Sequence, residues 1–260
     1  MAISSVSPFI HIPSHNINHQ SPIIKSDQIT NKSPESIDDH LLPALLTHAF
    51  TLLPTTSSPH TITELGAGTG RNTLKLLSRP NISTINALDL SPEMLSIAQS
   101  RCSSSPSPPN ININFLEFDA LSPSQFPKIL ELEGKADMVL STLVLEHLPI
   151  KLFFETVKRL LKKGGVLVLS NMHAEMGRRS RAGFMSEENG VDVKVQGDSF
   201  VYEISEVVDV GKGFGFVVEG SVEERGVEVG DLEGGIVGER GRKWVGCKVW
   251  FGCVMRLRGE

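Results

Sequence analysis

Between positions 60 and 172 the chain alternates between two hydrophobic periods. Short runs of strand character at 61–65, 84–89, 111–118, 136–140 and 166–171 are separated by segments whose apolar residues recur every three to four positions, at 72–77, 92–101 and 152–161. The run at 166–171 is almost continuously apolar, the pattern of a strand buried on both faces. Gly164 and Gly165 mark the expected stop of the preceding helix. Strands alternating with helices in this way predict an α/β fold, a mostly parallel sheet with helices on both faces. Upstream, 41–50 has helical spacing with Asp38 or Asp39 as its cap.

The texture changes from Gly183 onward. Glycines become dense, Val and Glu alternate from 214 to 229, and 243–255 reads as a closing strand. No long helix separates these late strands, so they are expected to pair antiparallel at one sheet edge. A helix over 205–213 is opposed by Gly211 and Gly213. Residues 1–38, rich in Ser, Pro, Asn, Ile and His, sustain neither period and read as a flexible arm. The expected domain is then 39–260, with a core at 60–172, a substrate-lid insertion at about 172–200 and C-terminal strands at 201–258.

Composition narrows the function. A chain of 260 residues that is 40% hydrophobic and 21% charged can bury one sizeable core, which excludes a wholly disordered protein. Its net charge of −5 argues against a general nucleic-acid binder, which needs a basic surplus against phosphates. No apolar run reaches the length of a membrane span, and the first residues lack a basic-then-apolar leader, so a cytoplasmic protein is expected. The three cysteines, Cys102, Cys247 and Cys253, do not form a disulfide framework; Cys247 and Cys253 are spaced to share one strand face as small core residues.

The chemistry begins at Glu64-Leu65-Gly66-Ala67-Gly68-Thr69-Gly70, between the first strand and the first core helix. Glycines there let the backbone turn tightly and approach a ligand closely. A dinucleotide loop would place its third glycine at position 71, which is Arg71, and no Gly-Lys-Ser/Thr follows for a phosphate loop. Glu64 places an anion beside the turn, which would repel a pyrophosphate and favour an ammonium or sulfonium. Asp89, ending the second strand, is placed to accept hydrogen bonds from two ribose hydroxyls, because Ser91 with Pro92 already fits the cap of the next helix. Asp119, followed by Ala120 after the third strand, can accept from an adenine amino group.

Together these features resemble the class I S-adenosylmethionine-dependent methyltransferases, specifically the small-molecule type that includes the ubiquinone/menaquinone-biosynthesis-like group. Segments 64–70, 87–94, 118–121, 136–148 and 160–170 carry the likeness. The resemblance implies a Rossmann-like seven-stranded sheet with an antiparallel edge strand, and S-adenosylmethionine as cofactor. It places Glu64 and the backbone of Gly66, Ala67, Gly68 and Gly70 near the methionine moiety. Asp89 would bind the ribose, Leu90 and Met94 flank the adenine, Asp119 and Ala120 contact its edge, and Ser141 lines the methionine side. No clustered acidic and Asn motif suggests a metal, and none is expected.

Two histidines at carboxyl ends of strands, His147 and His173, are candidate general bases, with Glu146 a local hydrogen-bond partner. The segment after the fourth strand, Ser141-Thr142-Leu143-Val144, lacks the Pro-Pro element typical of amide and base-amine methylation. The expected acceptor is therefore a small organic molecule methylated at O, N or C, under a lid formed by 1–50 and 172–200. Arg178, Arg179 and Arg181 could meet an anionic substrate. His11, His15 and His19 are interrupted by Pro13 and do not suggest a metal site. The rival readings are a cofactor-binding fold that does not methylate, as a cyclase or regulatory subunit, and a protein or RNA methyltransferase.

Overall fold

The computed structural model describes residues 33–55, 58–105, 111–179, 183–188, 191–196 and 199–259. Most of the expected arm, with His11, His15 and His19, and Arg181 of the basic cluster lie outside the described residues. The core opens with α1 (Ser33–Leu52), β1 (His60–Leu65), α2 (Arg71–Leu77), β2 (Ile82–Asp89), α3 (Pro92–Ser103) and β3 (Asn112–Glu117). It continues through α4 (Pro127–Leu130), β4 (Ala136–Thr142), α5 (Ile150–Leu160) and β5 (Leu161–Met172). After α6 (Ala174–Arg179) comes a two-stranded antiparallel ribbon, β6 (Gly183–Glu188) and β7 (Val191–Gln196). The chain closes with α7 (Ile204–Gly213), β8 (Phe216–Val218), β9 (Glu223–Gly226), α8 (Val229–Glu233) and β10 (Lys248–Leu257).

The main sheet runs β3-β2-β1-β4-β5-β10-β8, parallel from β3 to β5 and antiparallel at β10 and beyond. Its eight strands occupy seven positions, because β8 and β9 share the last one. β8 pairs with Met255 to Leu257 of β10, and β9 with Lys248 to Gly252. Chain order reverses between β1 and β4, and in open α/β sheets ligands bind at the strand carboxyl ends beside such a point.

Alternation within the central strands divides the core in two. Ile62, Met138, Leu140, Val166 and Val168 pack with α1 and α2, while Val139, Leu167 and Leu169 pack with α5 and α7 on the opposite face. This is why β5 reads as continuously apolar.

Several elements differ from the sequence expectation. α1 begins at Ser33 rather than at 41, inside the expected arm, and carries Pro43 in its interior. Its apolar face, Ile37, Leu42, Leu46 and Ala49, is buried against the sheet, and that packing offsets the proline's missing hydrogen bond. Asp38 and Asp39 therefore lie within the helix and do not cap it. α5 ends at Leu160, ahead of Gly164 and Gly165; these glycines fall in a register shift of β5 against β4, between the Ala136 and Met138 pairs.

The helix opposed by two glycines is present as α7. A Cβ on Gly211 would approach Phe154 and Met255 to about 3 Å, so the glycine allows close packing that outweighs its poor helix propensity. The closing strand starts at Lys248, after a 3-10 turn over Glu239–Trp244. A register shift between Lys248 and Trp250 breaks the expected alternation. Cys247 consequently joins the core on the α1 side and Cys253 the core on the α5 side, so the two do not share a face.

Trp250, fully buried, and Gly252 show how α1 seats on β10. A Cβ on Gly252 would lie 2.5 Å from Trp250 Cη2 and 2.8 Å from Leu45 Cδ1. The indole and the helix thus fill the space that the glycine leaves. Gly252→Val should destabilise the fold by about 1–3 kcal/mol through overpacking. An unchanged denaturant midpoint would show that α1 does not seat there.

Candidate active site

A cleft of about 1410 Å³ opens at the carboxyl ends of β1, β2 and β4. Its floor is the turn from β1 into α2, where Gly66, Gly68 and Gly70 all have positive φ, at 81, 53 and 79°. The glycines serve different ends. A Cβ on Gly66 would lie 2.1 Å from Val144 Cγ2, and one on Gly70 would lie 2.9 Å from Ala98 Cβ. A Cβ on Gly68 would meet no protein atom within 4 Å, so bare backbone faces the cleft there.

Asp89 organises this floor. Its Oδ2 accepts from the N–H of Gly68 at 2.7 Å and its Oδ1 from the N–H of Ser91 at 2.9 Å. Each oxygen keeps a lone pair for a further donor. Ser91 caps α3 as expected, accepting from Met94 N at 3.2 Å with Pro92 in the first turn. Leu90 is 63% exposed and, with Met94, gives the cleft an apolar flank. Asp119 and Ala120 line the same end, and Asp119 Oδ1 accepts from Leu121 N at 2.8 Å.

Three expected site residues lie behind this wall. Gly70 starts α2, and Ser141 is wholly buried in β4 with no hydrogen-bond partner for its Oγ among the described residues. Glu64 is buried too, and Thr73 Oγ1 donates to its Oε2 at 2.5 Å. Burial pushes the Glu64 carboxyl up to about 8, against the opposing effect of the Thr73 hydrogen bond. The group is thus predominantly neutral at pH 7, which corrects the expectation of a standing anion beside the loop.

The two histidines part company. His147 lines the cleft, 3.6 Å from Glu146 Oε1 through its Nε2. Its side chain is 55% exposed, and the desolvation of the remainder lowers its pKa, leaving a neutral ring at pH 7. Tyr202 braces the segment that carries it, donating to Leu148 O and accepting from Ile150 N, each at 3.0 Å. His173 is not on the cleft wall. Its Nδ1 accepts from Glu175 N at 3.0 Å and its Nε2 lies 3.2 Å from Glu224, so both ring nitrogens are engaged in joining β5, α6 and β9. Arg178 and Arg179 are paired with Glu203 and Glu175.

Sequence reasoning missed Ser36 and Asp39 of α1, Arg71 and Asn72 of α2, and Leu143, all of which line the cleft. Leu143 has φ of 57°, rare for a residue with a Cβ, and its N–H donates to Ser170 O at 2.9 Å. Asp38 left a readable signal, an acid on the buried stripe of an amphipathic helix. No group of His, Cys, Asp or Glu suited to a metal occurs among the described residues, and no described helix is long and apolar enough to cross a membrane.

Comparison with known proteins fits this geometry. A family model described as a methyltransferase domain matches residues 63–169. Uncharacterized methyltransferase AN0656 of Emericella nidulans is 38% identical over 200 residues, spanning 74% of this chain and 69% of that protein. Among solved structures, an S-adenosylmethionine-dependent methyltransferase from Mesorhizobium loti superposes with a TM-score of 0.55 at 19% identity, covering 83% of this chain and 97% of its own. The [4+2]-cyclase SpnF superposes with a TM-score of 0.57 at 14% identity, covering 85% and 81%. At such identities these two structures speak for the fold alone.

The buried carboxyl makes a pH test available. A folded-state pKa above the ordinary 4.5 means that stability is greatest with Glu64 protonated and falls as pH rises from about 4.5 through about 8. Glu64→Gln, which cannot ionise, should flatten that decline in urea denaturation at pH 5, 6.5 and 8. Parallel stability curves for the two proteins would refute a buried neutral carboxyl.

Proposed function

The chain belongs to the class I S-adenosylmethionine-dependent methyltransferases, and from that premise we propose that it methylates O, N or C of a small organic metabolite. The reading is carried by one observation: bare loop backbone at Gly68 and the carboxylate of Asp89 face a single cleft. That set of acceptors, carbonyl and carboxylate oxygens whose neighbouring N–H groups are already bonded within the turn, fits the cofactor. The spare lone pairs of Asp89 suit two ribose hydroxyls, exposed Leu90 with Met94 suits an adenine face, and Asp119 with Ala120 suits its polar edge. The backbone of Gly66, Ala67 and Gly68 would meet the methionine end through its carbonyl oxygens, because its N–H groups are bonded to Leu88 O and Asp89, with Glu64, Gly70 and Ser141 supporting it from behind.

Bound S-adenosylmethionine supplies a methyl group already activated by a positive sulfur. The protein's own work is then alignment and the exclusion of water, and alignment alone can supply about 7–11 kcal/mol of barrier reduction. His147, neutral and on the cleft wall, is the group placed to take a proton from an acceptor hydroxyl or ammonium. Glu146 at 3.6 Å stabilises the resulting imidazolium. His173 has no such part, because its ring is committed elsewhere. The mild acidity of the chain favours a small acceptor over a nucleic acid.

Calorimetric titration should show binding of S-adenosylmethionine, weakened in Asp89→Ala by about 1.5–3 kcal/mol, the range for hydrogen bonds to a charged group. Equal affinities would remove Asp89 from the site. Incubating the protein and cell extract with a deuterated methyl donor should yield a labelled small product by mass spectrometry. Label found in protein or RNA instead would overturn the proposed acceptor class. His147→Ala should lower turnover of that product and remove the acidic limb of its dependence on pH, where protonation of the base shuts the reaction off, and an unaltered profile would exclude His147 as the base.

A further inference from the structure

The three residues that follow the glycine loop, Arg71, Asn72 and Thr73, each tie the head of α2 to a different element. Thr73 Oγ1 donates to Glu64 at the end of β1, and Asn72 Nδ2 donates to Thr142 Oγ1 at the end of β4, at 2.8 Å. These two bonds join neighbours within the sheet framework. Arg71 reaches outside it to α1, donating to Asp38 Oδ2 at 2.9 Å and to Asp39 Oδ1 at 2.7 Å.

Asp38 is 0% exposed, and a buried carboxylate is strongly unfavourable unless it is paired and hydrogen-bonded. Its Oδ1 accepts from Trp250 Nε1 of β10 at 3.0 Å and from Ser170 Oγ of β5. One carboxylate therefore has two limbs, one to the sheet through Trp250 and Ser170, the other to the loop through Arg71. Arg71 lines the cleft, as do Ser36 and Asp39 on either side of Asp38.

We infer that Asp38 is a positioning residue for the cofactor loop: through Arg71 it fixes the head of α2 to α1, so that the loop and the α1 wall of the cleft are held as one unit. The inference rests on the cofactor reading given above. It assigns α1 a part in ligand binding that packing against the sheet does not require.

The two limbs can be cut separately. Asp38→Asn keeps an oxygen for Trp250 and Ser170 but turns an amide N–H₂ toward the Arg71 guanidinium. Arg71→Gln removes that ion pair from the other side, together with the one to Asp39, and reads that limb should Asp38→Asn fail to fold. Trp250→Phe removes the indole donor of the sheet limb and leaves the Ser170 bond and the ion pair. Affinity for S-adenosylhomocysteine, measured by calorimetry, and thermal stability, measured by circular dichroism, are then compared.

The expected result is an affinity loss of about tenfold or more for Asp38→Asn and Arg71→Gln, with the double variant little worse than either single one. Trp250→Phe should melt earlier yet bind within about twofold of the parent, well below the coupling expected of a direct partner. Parent-like binding by the folded ion-pair variants, or an equal loss in Trp250→Phe, would reduce Asp38 to a structural staple and overturn the inference. Failure of the unaltered protein to bind S-adenosylhomocysteine would instead overturn the cofactor reading.

Discussion

The chain leaving β1 must reverse into α2 within a few residues while keeping its backbone clear on one side and packed on the other. Positive φ at three alternate positions, which glycine adopts without strain, makes that turn possible. The glycines then divide the labour. Gly66 lets Val144 close over the turn, Gly70 lets α3 approach through Ala98, and Gly68 alone of the three leaves the space of a Cβ open. A spacing that looks like a ligand fingerprint is thus, in two positions of three, a packing requirement. Asp89 fixes the turn, because its carboxylate holds the Gly68 N–H and the Ser91 N–H at once.

Charge near the turn follows from burial rather than from residue type. Glu64 reads as an anion in the sequence, but the end of β1 is wrapped on all sides, and desolvation outweighs the Thr73 hydrogen bond and the nearby Arg71. Asp38 solves the same problem differently. It is equally buried, yet it meets Arg71, Trp250 and Ser170 directly.

The sheet was legible because its signals are local and mutually consistent. Periods of two and of three to four alternate in order, and Ser91 with Pro92 punctuates the start of α3 where a cap is expected. The place of Asp89 beside the glycine loop was legible because it ends the strand next to that loop. The rest depended on contacts between distant segments. Nothing near Gly211 in sequence reveals Phe154 and Met255, and nothing near His173 reveals that Glu224 will engage its ring. Asp38 and Asp39 were read as caps because a local rule gave them an adequate role; their partner Arg71 lies more than thirty residues away.

The segment carrying His147 shows where such long-range contacts bear on specificity. It leaves β4 through Leu143, held at positive φ by its bond to Ser170, and the sheet alone does not determine where it goes next. The residues that follow the β6–β7 ribbon settle that. Phe200 donates its N–H to Glu146 O, and the Tyr202 hydroxyl bridges Leu148 and Ile150 on either side of Pro149. The position of the proposed base thus depends on a part of the chain outside the shared glycine-loop half. A change in that outer part would reposition His147 without touching the glycine loop or Asp89. On the proposed reading, the base and the cofactor loop are therefore positioned by separate parts of the chain.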